Sequence, residues 1–289
     1  MKKLLLLSMV ISFGFFSCKT AVEEEPDPNT APTITKAADT YTQKALLEFT
    51  TCAGCQYCPN GDLYAANLIS KYSNKVFAVA LHNLQQGPDN MSNSETVAFY
   101  TTFGAGNPSG FLNRRTPKCG AYTDWDNSAK TILAETANCG VAIDAVTKTG
   151  SKYKVKIYAG IGTADLPNAN YSVIAYLVNE SMSGTGSGWD QVNAFNGVAG
   201  HAYFGKGNPV KGFIHENVFV KSLNTMSGTL MTADKTKAKA LSTYTFDLDA
   251  TGMNEDKLEV VAFIYLKSIA GNNVMNVQRV KLGKFQNFD

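Results

Sequence analysis

The sequence Cys52-Ala53-Gly54-Cys55-Gln56-Tyr57-Cys58-Pro59 places three thiols within seven residues. It follows a short apolar run, Ala45 to Phe49, and precedes a segment whose apolar residues have helical spacing. A cysteine at the start of a helix lies near unpaired backbone N–H groups and the positive end of the helix dipole, which favour its thiolate. The stretch therefore predicts thiol chemistry at a strand-to-helix junction.

The first 17 residues have the pattern of a secretory signal, with two lysines before an apolar run from Leu4 to Phe16. This run is too short to span a bilayer. Its end, Ser17-Cys18, resembles a bacterial lipobox, in which the cysteine is acylated. An ordinary cleaved signal with an incidental Cys18 is the alternative. Because residues 18–40 have the composition of a solvated, flexible tether, we predict a palmitate-bearing lipoprotein anchored through Cys18.

Charge and cysteine content narrow the class of protein. Without the signal, 24 basic and 24 acidic side chains remain, so nothing favours binding to nucleic acid. The remaining 272 residues, in a chain that is 44% hydrophobic, exceed the usual size of one domain. Export implies an oxidising compartment, so the five cysteines after Cys18 are interpreted first as disulfide chemistry. Because five is odd, one thiol is left over or pairs transiently.

Residues 41–138 alternate between apolar runs typical of buried strands and segments with a period of 3.6. They predict the order strand, helix, strand, helix, strand, strand, helix. The predicted strands are Ala45 to Thr50, Val76 to Leu81, Phe111 to Arg115 and Cys119 to Tyr122, and the predicted helices are residues 60–72, residues 94–103 and a segment that begins after Asp124.

This order resembles the thioredoxin fold. An acidic and an aromatic residue, Glu48-Phe49, precede Cys55-x-x-Cys58, and Asn107-Pro108 lies in the Gly-rich turn where that fold carries a cis proline. The resemblance implies that Cys55 is the attacking thiolate and Cys58 the resolving thiol. It also implies that Glu48 is a buried proton acceptor near Cys58, and that Pro108 is the wall on the substrate side. Exported proteins with thiols would be the partners.

A narrower resemblance rests on several short motifs. Leu47-Glu48-Phe49-Thr50, Cys-x-x-Cys-Pro, a strand that ends at His82, and a Gly-x-Pro-Ser-Gly turn before Asn113-Arg114 resemble the Omp28-like outer-membrane proteins. The resemblance covers most of residues 1–122 and, more loosely, residues 213–218. It implies a lipid anchor in the outer membrane, facing the periplasm or the surface, and a thioredoxin-like domain followed by a β domain. Cys52 lies in a one-residue insertion relative to the family pattern, which leaves the cysteine pairing open.

From Cys139 onward helical periods largely disappear and strand patterns recur. The predicted strands are Val141 to Val146, Tyr153 to Ala159, Tyr171 to Val178, Tyr244 to Leu248, Leu258 to Leu266 and Val274 to Leu282. Such a series is typical of a β-sandwich. We therefore predict an α/β thioredoxin-like domain at residues 41–138 and an all-β sandwich domain at residues 139–289, with Ser181 to Gly188 as a flexible loop.

Two interpretations of Cys55 and Cys58 remain open. They exchange disulfides with exported partners, or they form a structural disulfide in a non-enzymatic surface or periplasmic binding protein. Pro59 lacks an N–H group and is tolerated only in the first helical turn, so the helix begins at Gln56 or later and Cys55 lies outside it. This position, and the absence of a tryptophan before the first cysteine, argue against a strongly activated nucleophile.

The remaining candidate residues each have a functional and a structural interpretation. Cys119 and Cys139 could form a structural disulfide that leaves Cys52 as the unassigned thiol, or Cys52 could pair with one of them. His82 is a candidate on the substrate side, or simply a half-exposed strand end. An iron–sulfur site lacks its fourth cysteine, and a zinc site using His82 carries equally little weight. We predict no metal and no cofactor.

Overall fold

The computed structural model describes residues 33–104, 106–115, 121–167, 170–268 and 271–289. The predicted signal, most of the tether, Cys18 and Cys119 lie outside these residues. Among the helices described, none has the length and apolar character needed to cross a bilayer. The α-helices are α1 (Cys58–Lys71), α2 (Ser94–Phe103) and α3 (Trp125–Leu133). The strands are β1 (Ala45–Thr51), β2 (Val76–His82), β3 (Ser109–Leu112), β4 (Cys139–Asp144), β5 (Lys148–Thr149), β6 (Lys152–Ile161), β7 (Asn170–Met182), β8 (His215–Ser222), β9 (Thr229–Leu230), β10 (Leu241–Asp249), β11 (Leu258–Ser268), β12 (Gly271–Lys281) and β13 (Phe285–Gln286).

These strands form two sheets within the described residues. The larger has the order β12-β11-β7-β8-β2-β1-β3, with β9 beside β7, and the smaller has the order β10-β6-β4-β13, with β5 beside β6. In the larger sheet β1 and β2 are parallel, whereas β3 runs antiparallel to β1. The protein is therefore mostly β-sheet with few helices, and its two sheets are arranged as a sandwich.

The larger sheet crosses the boundary that the sequence predicts between residues 138 and 139. The crossing point is a parallel contact between β2 and β8, where Ala80 is the partner of Val218. On the far side β8 pairs antiparallel with β7. The strands on both sides of the boundary therefore share one sheet.

Alternation along β7 shows how the layers pack. Val173, Ala175 and Leu177 lie in the core between the two sheets. The intervening residues Ile174 and Tyr176 face the other way, toward a second core that includes Phe99 of α2. In β1, Ala45, Leu47 and Phe49 instead pack against α1 and α3. Helix α2 thus covers one face of the larger sheet, while α1, α3 and the smaller sheet lie side by side on the other.

The structure departs from the sequence patterns in two segments. Tyr122 begins a 3₁₀-helix (Tyr122–Asp124) instead of ending a strand. Ser181 to Gly188 is not a free loop: it starts inside β7, and the backbone oxygen of Gly188 accepts a hydrogen bond from the Asn90 N–H group at 3.1 Å. Neither the short 3₁₀-helix nor the contact between Asn90 and Gly188 produces a periodic pattern in the sequence.

Candidate functional site

The centre of the site is a disulfide between Cys55 and Cys58, with Cα atoms 5.3 Å apart. Cys58 is the first residue of α1, and Pro59 follows in its first turn. Cys55 lies outside the helix, as the position of Pro59 predicts. Both side chains are buried, at 2% and 0% exposure. The disulfide is therefore closed to solvent in this conformation.

Cys52 is a buried free thiol that packs against the other two cysteines as one cluster. Its S–H group donates to Gln86 Oε1 at 3.0 Å, and Asn107 Nδ2 donates to its sulfur at 3.6 Å. Burial raises the pKa of Cys52 above the ordinary value for a thiol. Cys52 is consequently a protonated thiol at neutral pH.

Pro108 lies directly against the helix that begins at Cys58. The Asn107–Pro108 bond is cis, as the thioredoxin resemblance implies. A Cβ atom built on Gly61 of α1 would lie 2.7 Å from Pro108 Cβ. Only glycine therefore allows the proline ring to approach the helix this closely.

We expect the variant Gly61→Ala to be less stable than the wild type. Alanine gains about 1 kcal/mol of helix propensity over glycine, but overpacking costs roughly 1–3 kcal/mol. The net result should be a loss of about 1 kcal/mol in urea unfolding, because the proline ring must shift. Gly197→Ala is the control, since its added methyl group meets nothing within 4 Å. A stability gain for Gly61→Ala would contradict the contact.

The disulfide is covered by residues 189–213, part of the connection between β7 and β8, which we call the cover segment. Its backbone N–H groups at Val192 and Ala194 donate to Ala53 O at 2.8 Å and to Gln56 O at 2.9 Å. Gln191 Nε2 donates to Cys55 O at 2.8 Å and to Cys52 O at 3.3 Å. The cover segment thus pairs with the backbone of the cysteine loop itself.

Aromatic side chains fix the cover segment to α1. Phe195 stacks on His201, with ring centroids 4.1 Å apart, and also meets Tyr57 edge-on at 6.1 Å. His201 Nε2 hydrogen-bonds Asn60 Oδ1 at 2.7 Å. The cover segment is therefore docked through side chains as well as through its backbone.

His82 is a buried link between the cysteine loop and its support. Its Nδ1 atom lies 2.8 Å from Asp89 Oδ2, which also accepts from the Ala53 N–H group at 2.8 Å. Burial alone would raise the pKa of Asp89, but the hydrogen bond and charge of His82 and the backbone N–H groups hold it below its ordinary value. With 2% exposure, His82 positions the loop through Asp89 and presents no open face to a substrate.

Two further titratable groups lie near His82. The ring of His215 meets His82 edge-on at 5.1 Å, and its Nε2 atom donates to Trp189 O at 2.8 Å. Burial, and secondly His82, lower the pKa of His215 to about 4, so it is neutral at pH 7.

Asp62 is half-buried, and burial raises its pKa to about 7, with Glu216 adding to the rise and His82 opposing it. Asp62 follows Cys58 by four residues and shares its face of α1.

Glu48 is buried but faces away from the disulfide. Its neighbours Leu47 and Phe49 pack toward α1, so by strand alternation Glu48 points to the opposite face of the sheet. There its oxygens accept from Arg114 Nε at 2.6 Å and from a terminal guanidinium nitrogen at 2.8 Å. The Tyr176 hydroxyl donates to Glu48 Oε1 at 3.0 Å. We therefore correct the predicted role of Glu48: it neutralises Arg114 and does not accept a proton from Cys58.

The structure gives Cys139 as a free thiol, and Cys119, its predicted partner, lies outside the described residues. Cys139 begins β4 and lies in the apolar core between the sheets, with 1% exposure. Burial raises its pKa to about 12. Cys139 is therefore an inert core residue.

The sequence patterns did not indicate the polar residues that connect the cysteine loop with the rest of the site. Asp89 and Gln86 lie in a polar loop, and Gln191 lies in a segment without periodicity. Asp62 alone had a local signal, the four-residue spacing from Cys58 on a helix. The others are brought to the site by tertiary structure.

The fold and the site define a class of protein. Its members are mostly β-sheet, carry a disulfide where the larger sheet packs on helices, and cover that disulfide with the long connection between β7 and β8. Residues 95–286 match the sequence model of the family described as outer membrane protein Omp28. The match covers more than half of the chain, so the protein belongs to this family, and the resemblance seen in the motifs is confirmed. The family also supports an association with the outer membrane.

Two solved structures share the fold. HBP35 of Porphyromonas gingivalis superposes with a TM-score of 0.65 at 18% identity, over 84% of this chain and 76% of that chain. Protein AGR_C_4864 from Agrobacterium tumefaciens gives a TM-score of 0.53 at 14% identity, over 86% of this chain and 98% of that chain. No curated protein sequence matches significantly. At these identities the similarity concerns the fold alone.

Proposed function

We propose that this Omp28-family protein is a lipoprotein, anchored to the outer membrane through Cys18, whose thioredoxin-like half exchanges disulfides with exported proteins. The observation that carries the proposal is the disulfide between Cys55 and Cys58 at the start of α1, beside Pro108. A structural disulfide needs neither a helix N-terminus nor a proline packed against that helix.

The reaction uses the two cysteines in sequence. In the reduced protein the Cys55 thiolate attacks a partner disulfide, one partner sulfur leaves as thiolate, and a mixed disulfide forms. Cys58 then attacks Cys55 Sγ and releases the second partner thiolate. Asp62 is the proposed proton acceptor for Cys58, because it lies one helical turn away and its pKa of about 7 suits proton transfer at neutral pH.

The cover segment favours a second candidate function, a non-enzymatic binding protein with a structural disulfide. In that case the two buried cysteines never meet a partner. Their reduction potential would lie below about −300 mV, as is typical of structural disulfides. In the first candidate function the cover segment withdraws and the potential lies near that of exchange catalysts.

Insulin reduction distinguishes the two candidates. We expect wild-type protein to accelerate the reduction of insulin by dithiothreitol, and Cys55→Ser to fall to the uncatalysed rate because the attacking thiol is gone. Cys139→Ser is the matched control, since it removes a buried thiol that lies in the core between the sheets and not in the cysteine cluster. Equal activity of Cys55→Ser and the control would refute exchange, and an inactive wild type with a strongly reducing disulfide would favour the binding protein.

The lipid anchor needs its own measurement. Cells that express the full chain would be labelled with a clickable palmitate analogue, and the labelled protein would be followed to the outer-membrane fraction. We expect Cys18→Ala to lose both the label and the membrane association. Label retained on Cys18→Ala would refute anchoring at this residue.

A further inference from the structure

We infer that the three cysteines form a relay in which a small external disulfide oxidises Cys55 and Cys58 to their disulfide. Cys52 is the thiol that reacts with the small disulfide first. The inference rests on the proposed exchange function run in its reverse direction: a thiolate of a reduced exported protein attacks the Cys55–Cys58 disulfide, a second partner thiolate resolves the mixed disulfide, and the pair is left reduced for the relay to oxidise again. It assigns a chemical role to the one thiol of the cluster that the exchange reaction leaves unused.

The same backbone turn occurs twice in succession between Cys52 and Cys58. Cys52-x-x-Cys55 and Cys55-x-x-Cys58 overlap and share Cys55. The Cys55 N–H group donates to Cys52 O at 3.0 Å, and the Cys58 N–H group donates to Cys55 O at 3.2 Å. The second turn carries a disulfide, and all three side chains pack in one cluster. The first turn therefore brings Cys52 to Cys55 much as the second brings Cys55 to Cys58.

The buried Cys52 thiol is hydrogen-bonded to a side chain that is itself exposed. This side chain is that of Gln86, which accepts the hydrogen bond from the Cys52 thiol. Asn107 Nδ2 donates to the same Gln86 oxygen at 2.8 Å. The cover segment, in contrast, contacts Cys52 and Cys55 at their backbone oxygens. In the proposed relay, rotation of the exposed Gln86 side chain uncovers Cys52, which is fully buried at rest, while the cover segment stays docked.

One hydrogen-bond donor to the Cys52 sulfur does not depend on Gln86. At rest the thiol is protonated and donates to Gln86 Oε1. When Gln86 turns away, Asn107 Nδ2 still faces the sulfur at 3.6 Å and stabilises negative charge on it. Burial and the charge of Asp89 raise the pKa of Cys52, so the thiolate is a minor form, which reacts when the small disulfide reaches the sulfur.

The relay consists of three balanced exchanges in the reduced protein. The Cys52 thiolate attacks a small disulfide, whose S–S bond breaks and releases one small thiolate. The Cys55 thiolate attacks Cys52 Sγ, which releases the second small thiolate and forms a Cys52–Cys55 disulfide. Cys58 attacks Cys55 Sγ, so Cys52 leaves as thiolate and the Cys55–Cys58 disulfide remains. Two protein thiols are oxidised and one small disulfide is reduced.

The variant Cys58→Ser should stop the relay at its middle step. The full chain is reduced, treated with oxidised glutathione, quenched with acid and mapped by mass spectrometry. We expect a Cys52–Cys55 disulfide in this variant, whereas Cys139→Ser should contain only Cys55–Cys58. Cys55 bound to glutathione beside a free Cys52 would overturn the relay.

The variant Cys52→Ser gives a second, independent test. With oxidised glutathione its Cys55–Cys58 disulfide should form at least tenfold more slowly than in Cys139→Ser, with an unchanged reduction potential. An unchanged rate would overturn the relay. Neither test uses a protein substrate, so the relay can fail while insulin reduction persists, and a mapped Cys52–Cys55 disulfide would stand even if insulin reduction failed.

Discussion

Replacement of Arg114 by alanine is expected to lower the free energy of unfolding by roughly 3–5 kcal/mol, because it leaves the buried Glu48 carboxylate without its counter-ion. Both side chains of the ion pair are at most 2% exposed. Burial alone would lower the pKa of Arg114, but the charge of Glu48 holds it above its ordinary value, so Arg114 is charged. Urea unfolding at pH 7, monitored by circular dichroism, measures the loss.

The neighbouring residue supplies a matched control. Arg115 also forms an ion pair, with Glu135, but its side chain is 29% exposed and that of Glu135 is 42% exposed. An exposed pair contributes about 0–1 kcal/mol, so Arg115→Ala should change stability little. Equal losses for the two variants would show that the Glu48–Arg114 pair is not specially important.

A double variant separates the ion pair from the packing around it. The Arg114 guanidinium lies over the rings of Tyr265 and Phe263, at 4.7 and 5.2 Å. Glu48→Leu with Arg114→Met removes both charges and keeps apolar volume among these rings. The free energy of unfolding of this double variant should fall less than that of Arg114→Ala, because no buried charge is left unpaired. A larger loss would mean that Arg114 acts mainly through its ring contacts.

The Glu48–Arg114 pair also explains how one sheet forms across the predicted domain boundary. Arg114 follows β3, and a terminal guanidinium nitrogen donates to the Tyr176 hydroxyl of β7 at 2.5 Å. The same core contains Phe99 of α2 and Phe263 of β11. The pair therefore connects the α/β edge with the long β strands, and its loss should destabilise both.

Local signals in the sequence predicted much of the α/β edge. The apolar runs that became β1 and β2, and the helical spacing that became α1 and α2, depend on neighbours only a few residues apart. The position of Pro59 likewise placed the start of α1 correctly. These features are encoded within single elements, so one sequence is enough to find them.

The remaining features depend on distant contacts that leave no period in the sequence. The thioredoxin resemblance implies that Glu48 lies near Cys58, but the partner of Glu48 is Arg114, which lies 66 positions away and has no local signal in the sequence. The sequence predicts a boundary at residue 139 because helical periods largely disappear there, and only the parallel contact between Ala80 and Val218 shows that strands on both sides share a sheet. The cover segment binds partly through backbone groups, which every residue carries except for the N–H group of proline, and its side-chain partners lie more than 130 positions away in the sequence.

The variant Gln191→Ala with Phe195→Ala is expected to make the Cys55–Cys58 disulfide react much faster with dithiothreitol. It removes the hydrogen bonds from Gln191 to the cysteine loop and the Phe195 contacts with Tyr57 and His201. Together these contacts contribute roughly 2–3 kcal/mol to docking, so their loss should raise the population with the cover segment undocked by about 30- to 160-fold.

Phe204→Ala is the control for this experiment, because it removes a phenyl group from the same segment at a position that is 51% exposed. Its reduction rate should equal that of the wild type. If the double variant also reacts at the wild-type rate, the cover segment does not control access to the disulfide. If it reacts faster and gains insulin reductase activity in proportion, the docked cover segment is the closed state of an exchange site, because a purely structural disulfide would gain reactivity without turnover.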